Sequence, residues 1–400
     1  MSEPAIALST RDFRHAVMLA GKAVERRSTI PILEMVRCRA NGSFEATGTN
    51  LDLTVTAKVE RSGEVDAAFM LPDFRSVIGA VGAAGGADMS IDASGEQMQL
   101  RSDALCIGIK SQQHVDDFPT DHGITTETFA ATFSHEQIQS LRRVSAAIST
   151  EETRYYLNGI YFHHLDGHTY RAVATDGHRL HWLDLQLPDA AGALKGAIIP
   201  RLALTVLFDI VGTRPGRDDR GIAVRIGTQA LSNAAPTTTA PTDPRATRAD
   251  FTLASGPARV TLATKLIDGT FPDYTRVVPT TPRFSMLFKS AELRRAVRAL
   301  SFGSKHIRAV KIVPDAEGAV LSAQFLDTGI GTSVRIECTH NMRGWTGARL
   351  GYQGAYLLAL VDAAGGDELL IAPTDEGMMA SLVRNPADPA WGGVIMPVRV

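Results

Sequence analysis

Three stretches of the chain begin with a serine and continue with apolar residues at helical spacing. In residues 9–24 the apolar side chains recur at i, i+3, i+4 and i+7 from Phe13 onward, which is typical of one face of an amphipathic helix. Residues 134–149 and 290–302 repeat this pattern. A serine hydroxyl can accept a hydrogen bond from the free N–H groups of a first helical turn. The predicted N-caps are therefore Ser9, Ser134 and Ser290.

Each of these helices is followed by an alternating or apolar stretch with a glycine or Asp-Gly turn, which is typical of a β-meander. A second half of the same type then completes each repeat, with a short apolar helix, a turn and further strands. The second halves are residues 71–102, 199–233 and 351–384. The pattern predicts an α+β fold of three repeated domains, each made of two helix-plus-β-meander half-units.

Proline, glycine and aspartate cluster at residues 117–123 and 271–282, which indicates joints between domains. The predicted domains are 1–124, 125–280 and 281–400. The second domain includes residues 234–250, which are rich in Pro, Thr, Ala and Asp and have no apolar period. This composition predicts an exposed, disordered loop.

The overall composition is that of a soluble globular protein. Of the 400 residues, 44% are hydrophobic and 21% are charged, and no apolar run reaches the roughly 18 residues that cross a bilayer. The first residues lack the basic and apolar regions of a signal peptide, and the three cysteines are far apart. We expect a cytoplasmic protein with reduced cysteines and no membrane partner.

If such an array curved into a ring with its helices inside, the number of helices would set the width of the hole. At about 10 Å per helix, six helices leave roughly 9 Å, and twelve helices from two chains leave about 28 Å. B-DNA, at about 20 Å, fits only the second ring.

The net charge of −2 excludes bulk positive charge as the means of holding nucleic acid. Basic residues nevertheless exceed acidic ones on or beside the predicted helices, which favours a DNA-facing surface but is also typical of ordinary solvated helix faces. These basic residues are Arg11, Arg14, Lys22, Arg26, Arg27, Arg142, Arg143, Arg201, Arg294, Arg295 and Arg298.

Four motifs stand in a fixed order within this repeat. They are RYYLNGIYF (154–162), ATDGHRL (174–180), KLIDGTFPDYTRVVP (265–279) and IMPVRV (395–400). Through them the chain resembles the bacterial sliding clamps, the β subunits of DNA polymerase III, along essentially its whole length. The resemblance implies a DNA-clamp fold with helices lining the inside of a head-to-tail homodimeric ring. It also implies a processivity factor without enzymatic activity or cofactor.

The partners that the resemblance implies are encircled duplex DNA, a second copy of the chain, the polymerase III alpha subunit, the clamp loader, and other polymerases and repair proteins with short peptide motifs. It also implies a pocket for those motifs between the second and third domains. Its positions are Arg154, Leu157, Thr175, Gly177, His178, Arg179, Leu180, Pro272, Val277, Tyr356, Met379, Val394, Ile395, Met396, Pro397, Val398 and Arg399. Its apolar members would hold Leu or Phe anchors of an extended peptide, with Arg179 and Arg399 at the rim.

Two further surfaces follow from the resemblance. Arg27, Tyr155 and Tyr156 match positions that touch DNA, although Tyr155 also fits a half-buried strand aromatic. An edge strand of the first domain would pair with one of the third to close the dimer. The residues expected at that joint are Ile107, Ile109, Leu300 and Phe302.

Met379 and Val398 depart from the family pattern, because Met379 replaces a small residue and Val398 a longer one. These departures leave open a paralogue of the clamp, an accessory or inhibitor-tolerant copy whose altered pocket takes other partners.

Other chemistry has weaker support. The segment HHLDGH (163–168) contains three histidines, but a turn between strands would scatter them, so we expect no metal. An Asp-His dyad in TDGHR (175–179) lacks a nucleophile elbow, which argues against a hydrolase. The segment GAVGAAGG (79–86) lacks the GK[ST] of a P-loop and predicts the end of a helix. Without an ATP site, loading onto closed DNA would need a separate ATP-driven loader.

Overall fold

The computed structural model describes residues 6–61, 65–93, 95, 97–119, 121, 123–192, 194–213, 221–229, 246–280, 282–300, 309–325, 329–345, 350–374 and 379–400. Six α-helices lie within these residues. They are α1 (Thr10–Ala20), α2 (Phe74–Ala84), α3 (His135–Ser145), α4 (Arg201–Val211), α5 (Ser290–Ala299) and α6 (Gly354–Ala364). Each falls in one of the six predicted half-units, so the α+β prediction and its helical pattern are confirmed.

Contacts within the chain divide it into two compact units. Unit 1 comprises Met1–Gln139, Leu187–Leu194 and Leu202–Leu266, and unit 2 comprises Ser140–Gln186, Lys195–Arg201 and Ile267–Val400. Each unit therefore combines parts of two of the domains predicted from the sequence. The division into three domains stays a prediction.

Unit 1 contains a nine-stranded and a four-stranded antiparallel sheet. The large sheet has the order β13 (Ala191–Gly192), β9 (Thr126–Phe133), β15 (Ile222–Thr228), β16 (Arg248–Ser255), β17 (Ala258–Lys265), β4 (Leu53–Glu60), β3 (Ser43–Thr49), β2 (Val36–Asn41) and β5 (Ala67–Leu71). The small sheet has the order β1 (Ile6–Ser9), β6 (Asp88–Asp92), β7 (Met98–Ser102) and β8 (Leu105–Ile109). The large sheet is continuous because β17 pairs with β4, with Leu262 opposite Val55.

Unit 2 repeats this arrangement. Its large sheet has the order β14 (Ala197–Pro200), β10 (Gly159–Asp166), β11 (Thr169–Thr175), β12 (Arg179–Gln186), β26 (Asp388–Ile395), β25 (Ser381–Asn385), β24 (Glu368–Ala372), β18 (Ser285–Lys289) and β22 (Cys338–Asn341). Its small sheet has the order β21 (Ile330–Ile336), β20 (Gly318–Phe325), β19 (Ala309–Asp315) and β23 (Leu350–Gln353). The pairing of β12 with β26 places Leu180 opposite Val394.

The helices pack through the apolar faces that the sequence pattern predicts. On α1, Phe13, Val17 and Ala20 are fully buried, and the Phe13 ring lies 5.6 Å from that of Phe44 on β3. Helix α2 ends at Ala84 because Gly85 adopts a left-handed φ of +75°, which confirms the glycine-rich segment as a helix stop. No helix among the residues described is long and apolar enough to cross a membrane.

Two of the three predicted serine caps are present. Ser9 accepts a hydrogen bond from the Asp12 N–H at 3.0 Å, and Ser134 and Gln137 form a reciprocal capping box. The prediction that Ser290 is an N-cap is wrong. Lys289 holds that position, and Ser290 is the first helical residue, where its side chain is buried. Its backbone N–H instead donates to the Asp367 carbonyl at 2.7 Å.

The prediction of a loop over residues 234–250 is wrong at its C-terminal end. Residues 234–245 lie outside the described residues, but Arg248–Asp250 begin strand β16. The Arg248 side chain is buried and forms ion pairs with Asp250, at 2.7 Å, and with Asp121. Charged residues can occupy a buried strand when they satisfy each other, and composition alone does not reveal such pairs.

Candidate functional site

A tight turn connects strands β11 and β12 at the motif TDGHR. The Asp176 carboxylate accepts hydrogen bonds from the backbone N–H groups of His178 (2.9 Å) and Arg179 (3.0 Å). The Thr175 hydroxyl accepts from the Gly177 N–H and donates to the Arg179 carbonyl. Gly177 has a φ of +88°, and a Cβ there would lie 2.7 Å from Nη1 of Arg154. The turn is therefore held by its own hydrogen bonds, and the positive φ favours glycine at this position, while the tip of the Arg154 side chain could move to admit a Cβ.

The last residues of the chain run beside this turn. Strand β26 pairs with β12, and beyond it the Met396 N–H donates to the His178 carbonyl at 2.8 Å. The Val398 N–H donates to the Gly351 carbonyl on β23, also at 2.8 Å. Residues 396–400, which we call the tail, are thus attached by backbone hydrogen bonds to two elements of unit 2.

An apolar cluster underlies the turn and the tail. Its buried members are Leu157, Val173, Leu180, Trp182, Ile198, Phe271, Tyr274, Ala372, Ala380, Leu382 and Val394. The partly buried Tyr156, Tyr161, Ile267 and Val278 pack against it. We call this set the pocket cluster. Three residues expected in the peptide pocket, Leu157, Leu180 and Val394, therefore lie in one contiguous core.

Several of the other expected pocket residues leave apolar surface open to solvent. The exposed fractions are 49% for Val277, 58% for Met379 and 38% for Met396. Pro397 and Val398 are half-buried, Pro272 and Arg399 are exposed, and Ile395 is fully buried in β26. Exposed apolar side chains over a buried apolar core suit an anchor residue of a bound peptide.

The polar rim is organised by ion pairs and stacked rings. Arg154 pairs with Glu151 at 2.7 Å, and Arg179 pairs with Asp176 at 3.1 Å. The Arg154 hydrogen bond lowers the pKa of Glu151 below its usual range. The His178 ring stacks on Tyr356 with centroids 5.8 Å apart, and the Arg179 guanidinium lies 4.8 Å from the Tyr356 ring centre. Tyr356 is therefore a central contact of the rim.

Sequence reasoning missed several buried members of the pocket cluster. Trp182 had a detectable signal, because it follows Leu180 by two residues on a strand and so shares its face. Phe271 and Tyr274 lie inside the motif KLIDGTFPDYTRVVP, but the resemblance predicts contacts only for Pro272 and Val277 of that motif. Ile198, Ala372 and Leu382 come from distant strands, and only the sheet order brings them here.

The alternative chemistries of the two histidine motifs lose support from this geometry. The Asp176 carboxylate is occupied by backbone N–H groups and by Arg179, while the His178 ring stacks on Tyr356. They do not form an Asp-His dyad. In the second motif, His163 bonds to Tyr274 and His164 bonds to the Gly167 carbonyl. Within the described residues, no group of three or more His, Cys, Asp or Glu is arranged to hold a metal ion.

The residues expected to touch DNA lie in different units. Arg27 is exposed in the segment after α1 of unit 1. Tyr155 and Tyr156 form a short 3₁₀ turn in unit 2, with their rings edge-to-face at 5.8 Å. Tyr155 is 54% exposed, so its reading as a half-buried strand aromatic is wrong, while Tyr156 packs on the pocket cluster.

Several of the basic residues on the helices are engaged in local contacts. Lys22 pairs with Asp209, and Arg294 pairs with Asp362 at 2.7 Å. Arg143 donates to the carbonyls of Ala363 and Ala364 at the end of α6 and pairs with Asp388 at 2.6 Å. Arg143 therefore fixes α3 to α6 and its charge is neutralised within unit 2.

The expected dimer residues differ in exposure. Strand β8 is an edge of its sheet, with Ile107 partly exposed and Ile109 buried. Strand β21 is an edge strand of the small sheet in unit 2, and most of its residues are exposed or partly so. Leu300 is only 1% exposed because it ends α5 inside the core, which leaves it no free surface. Phe302 lies outside the described residues.

Comparison with known proteins gives one consistent result. Residues 134–273 match the family described as DNA polymerase III beta subunit, central domain. The beta sliding clamp of Caulobacter vibrioides (strain NA1000 / CB15N) is 29% identical over 399 residues, covering 94% of this chain and 95% of that protein. The beta sliding clamp of Vibrio cholerae is 25% identical, covering 94% of each chain. The DnaN sliding clamp of Bartonella birtlesii, solved with griselimycin bound, has a TM-score of 0.81 at 27% identity and covers 99% of both chains.

Proposed function

Since the chain belongs to the family of bacterial DNA polymerase III beta subunits, the DNA sliding clamps, we propose that two copies close into a ring around duplex DNA. The ring tethers replicative polymerase and repair factors without catalysing a reaction, and a separate ATP-driven loader opens it. We expect the protein to act in the bacterial cytoplasm. The observation that carries the proposal is the exposed apolar surface above the pocket cluster, next to a rigid turn and a fixed tail.

We assign the tethering of partners to this pocket. Leu157, Leu180 and Val394 form its floor, and Val277 and Met396 supply exposed apolar walls. Burying a Leu or Phe anchor there contributes roughly 1.5–3 kcal/mol per side chain. Because the turn and tail are already held by hydrogen bonds, little conformational entropy is lost when an extended peptide binds.

The DNA contacts that we propose are few and independent of sequence. Arg27 is exposed and bears no ion-pair partner among the described residues, and Tyr155 is exposed beside Tyr156. Arginine binds phosphate oxygens, and an exposed tyrosine ring can pack on sugars or bases. A ring that slides needs contacts of this weak kind, since its hold on DNA is topological.

Arg27→Ala is expected to weaken binding of a short duplex about two- to fivefold at low salt, because one phosphate contact is lost. The slope of log K against log salt should fall by about one. Fluorescence anisotropy with a labelled duplex measures both quantities. Arg39→Ala, which removes an exposed arginine from strand β2, is the matched control. Equal affinities and slopes for Arg27→Ala and the wild type would remove this role from Arg27.

Closure of the dimer would pair the edge strands β8 and β21 of two copies, with Ile107 in the joint and Ile109, Leu300 and Phe302 supporting it. Light scattering tests this proposal, since a dimer has twice the chain mass of 42.9 kDa. With nicked circular DNA and a clamp loader, the protein should stay on circles and leave them once they are linearised. A stable monomer, or retention on linear DNA, would contradict the ring.

The paralogue remains the second candidate because of one observation. Met379 is 58% exposed and directly precedes Ala380 of the pocket cluster, so its side chain can narrow the pocket. Met379→Ser discriminates the two candidates. An accessory clamp should gain affinity for polymerase peptides on this change, whereas a replicative clamp should bind them well already.

A further inference from the structure

A chain of hydrogen bonds lies behind one wall of the pocket. The Nδ1 atom of His163 is 2.8 Å from the carbonyl of His164, and its Nε2 atom is 2.9 Å from the Tyr274 hydroxyl. A carbonyl only accepts, so Nδ1 carries the proton. In the neutral ring Nε2 is then an acceptor, and Tyr274 donates to it. The surroundings thus select one tautomer of His163.

Arg171 lies near the same hydroxyl. It forms two hydrogen bonds with Asp184, at 2.6 and 2.8 Å, and its charge partly offsets the rise in the pKa of Tyr274 that burial causes. A guanidinium has no acceptor, so the Tyr274 hydroxyl donates its proton to His163. Every donor in this chain has an acceptor only while His163 is neutral.

Stacked rings connect His163 to the wall by a second route. Its ring lies on Tyr161 with centroids 4.9 Å apart, and Tyr161 lies on Phe271 at 4.8 Å with the planes 6° apart. The Tyr161 hydroxyl donates to the Lys195 carbonyl at 3.3 Å. Phe271 and Tyr274 are both buried in the pocket cluster. Between and beside them lie Pro272 and Val277, two exposed residues of the proposed wall.

We propose that His163 is a positioning residue for peptide binding, which in its neutral form holds residues 271–277 in place and on protonation releases them. The inference rests on the proposed peptide pocket. A protonated ring would present an N–H to the Tyr274 oxygen, which can accept it, but the hydroxyl's own proton would then have no acceptor among the described residues. The ring would also place a positive charge near Arg171. Both effects weaken the contact that holds the wall, and a bound peptide would lose a preformed surface.

The charged and titratable groups around His163 favour the neutral form. They are Tyr161 and His164 on β10, Arg171 on β11, Asp184 on β12 and Tyr274. Burial lowers the pKa of His163, and Arg171 lowers it further, while the His164 carbonyl and Asp184 act in the opposite direction. Burial raises the pKa of Tyr161 and Tyr274, so both stay neutral. The effect on binding should therefore begin below pH 6.5, the ordinary value for histidine.

Two substitutions separate positioning from simple packing. His163→Gln keeps a neutral acceptor for the Tyr274 hydroxyl and does not titrate, whereas His163→Leu removes the acceptor. The probe is a synthetic ten-residue peptide with one Leu and one Phe, titrated into the full chain by calorimetry at pH 7.5 and pH 5.5. His163→Gln should bind within about twofold of the wild type at pH 7.5, and His163→Leu about five- to tenfold more weakly.

The pH dependence gives the second readout. Wild-type affinity should fall more than that of His163→Gln between the two pH values, but by less than about tenfold, because the pKa of His163 lies below 6.5. His178, inside the pocket, is present in both proteins, so its contribution cancels from this comparison. The coupling to Tyr274 is checked with Tyr274→Phe, whose effect should not add to that of His163→Leu.

The outcomes distinguish the inference from its premise. Absence of wild-type binding at pH 7.5 would overturn the pocket and this inference together. Wild-type binding with equal affinity in His163→Leu at both pH values would overturn only the role of His163. The same conclusion follows if the wild type and His163→Gln share one pH profile, or if the Tyr274→Phe and His163→Leu effects are additive.

Discussion

Deletion of the tail, residues 396–400, is expected to weaken binding of a Leu- and Phe-containing peptide at least about 100-fold. The tail supplies Met396, Pro397 and Val398, and its backbone bonds to His178 and Gly351 hold them beside the turn. Losing the wall around one anchor removes roughly 3 kcal/mol, which corresponds to this factor. Strand β26 ends at Ile395, so its pairing with β12 survives the deletion.

Calorimetry with the peptide and light scattering of the protein together check this expectation. The deletion should leave the oligomeric state unchanged, because the strands proposed to pair in the dimer, β8 and β21, do not include the tail. Val313→Ala is a matched control, since Val313 is 41% exposed on β19 of the same unit. Undiminished peptide affinity after deletion would show that the anchors bind elsewhere. Loss of the dimer would show that the tail acts on assembly.

Local patterns in the sequence predict the helices well because each helix buries a continuous apolar stripe. Phe13 and Val17 are examples, since their spacing alone places them on the buried face of α1. Ser290 shows the limit of such patterns. Ser290 precedes an apolar run as Ser9 does, yet its backbone N–H donates to the carbonyl of Asp367, which lies in a distant part of the chain. Tertiary contacts then decide where the cap lies.

The pocket also combines a part that local sequence predicts with a part that it does not. Its turn is encoded locally, because Asp176, Gly177 and Thr175 make their hydrogen bonds within five residues. Its floor is not, because Trp182 and Phe271 meet only after β12 and the segment before Tyr274 have packed together. Resemblance to a family locates the residues a partner would touch. The residues that hold them in place become visible only through packing.

The charge on the helices also cannot be judged from sequence alone. A count of arginines and lysines overstates the charge that is free to meet DNA, since Lys22, Arg143 and Arg294 each pair with an aspartate inside their own unit. Arg143 in particular ties the end of α6 to α3. We expect binding to DNA to depend on exposed, unpaired residues such as Arg27, and not on the total number of basic residues.

Acid is expected to destabilise unit 2 through a single buried histidine. His181 lies on β12 between Leu180 and Trp182, is fully buried, and donates from Nδ1 to the Arg143 carbonyl at 2.8 Å. Its Nε2 atom has no hydrogen-bond partner among the residues described. Burial lowers the pKa of His181 to about 4. The native state therefore holds the ring neutral.

The sign and size of the effect follow from linkage. In the unfolded chain the histidine takes up a proton near pH 6.5, whereas in the folded chain it does so only near pH 4. Between these values the unfolded state binds more protons, so the free energy of unfolding falls as the pH falls. From pH 7.5 to pH 4 the loss due to His181 alone should be about 3 kcal/mol.

Urea unfolding followed by tryptophan fluorescence measures this loss in unit 2 alone, because Trp182, Trp345 and Trp391 all lie there. His181→Asn is the comparison, since its amide can still donate to the Arg143 carbonyl but does not titrate. It should lower stability at pH 7.5, where the edge-to-face contact with Trp391 is lost, yet flatten the acid dependence. All other titratable groups are the same in both proteins, so their contributions cancel. Parallel stability curves between pH 7.5 and pH 4 would mean that the ring is solvated in the native state.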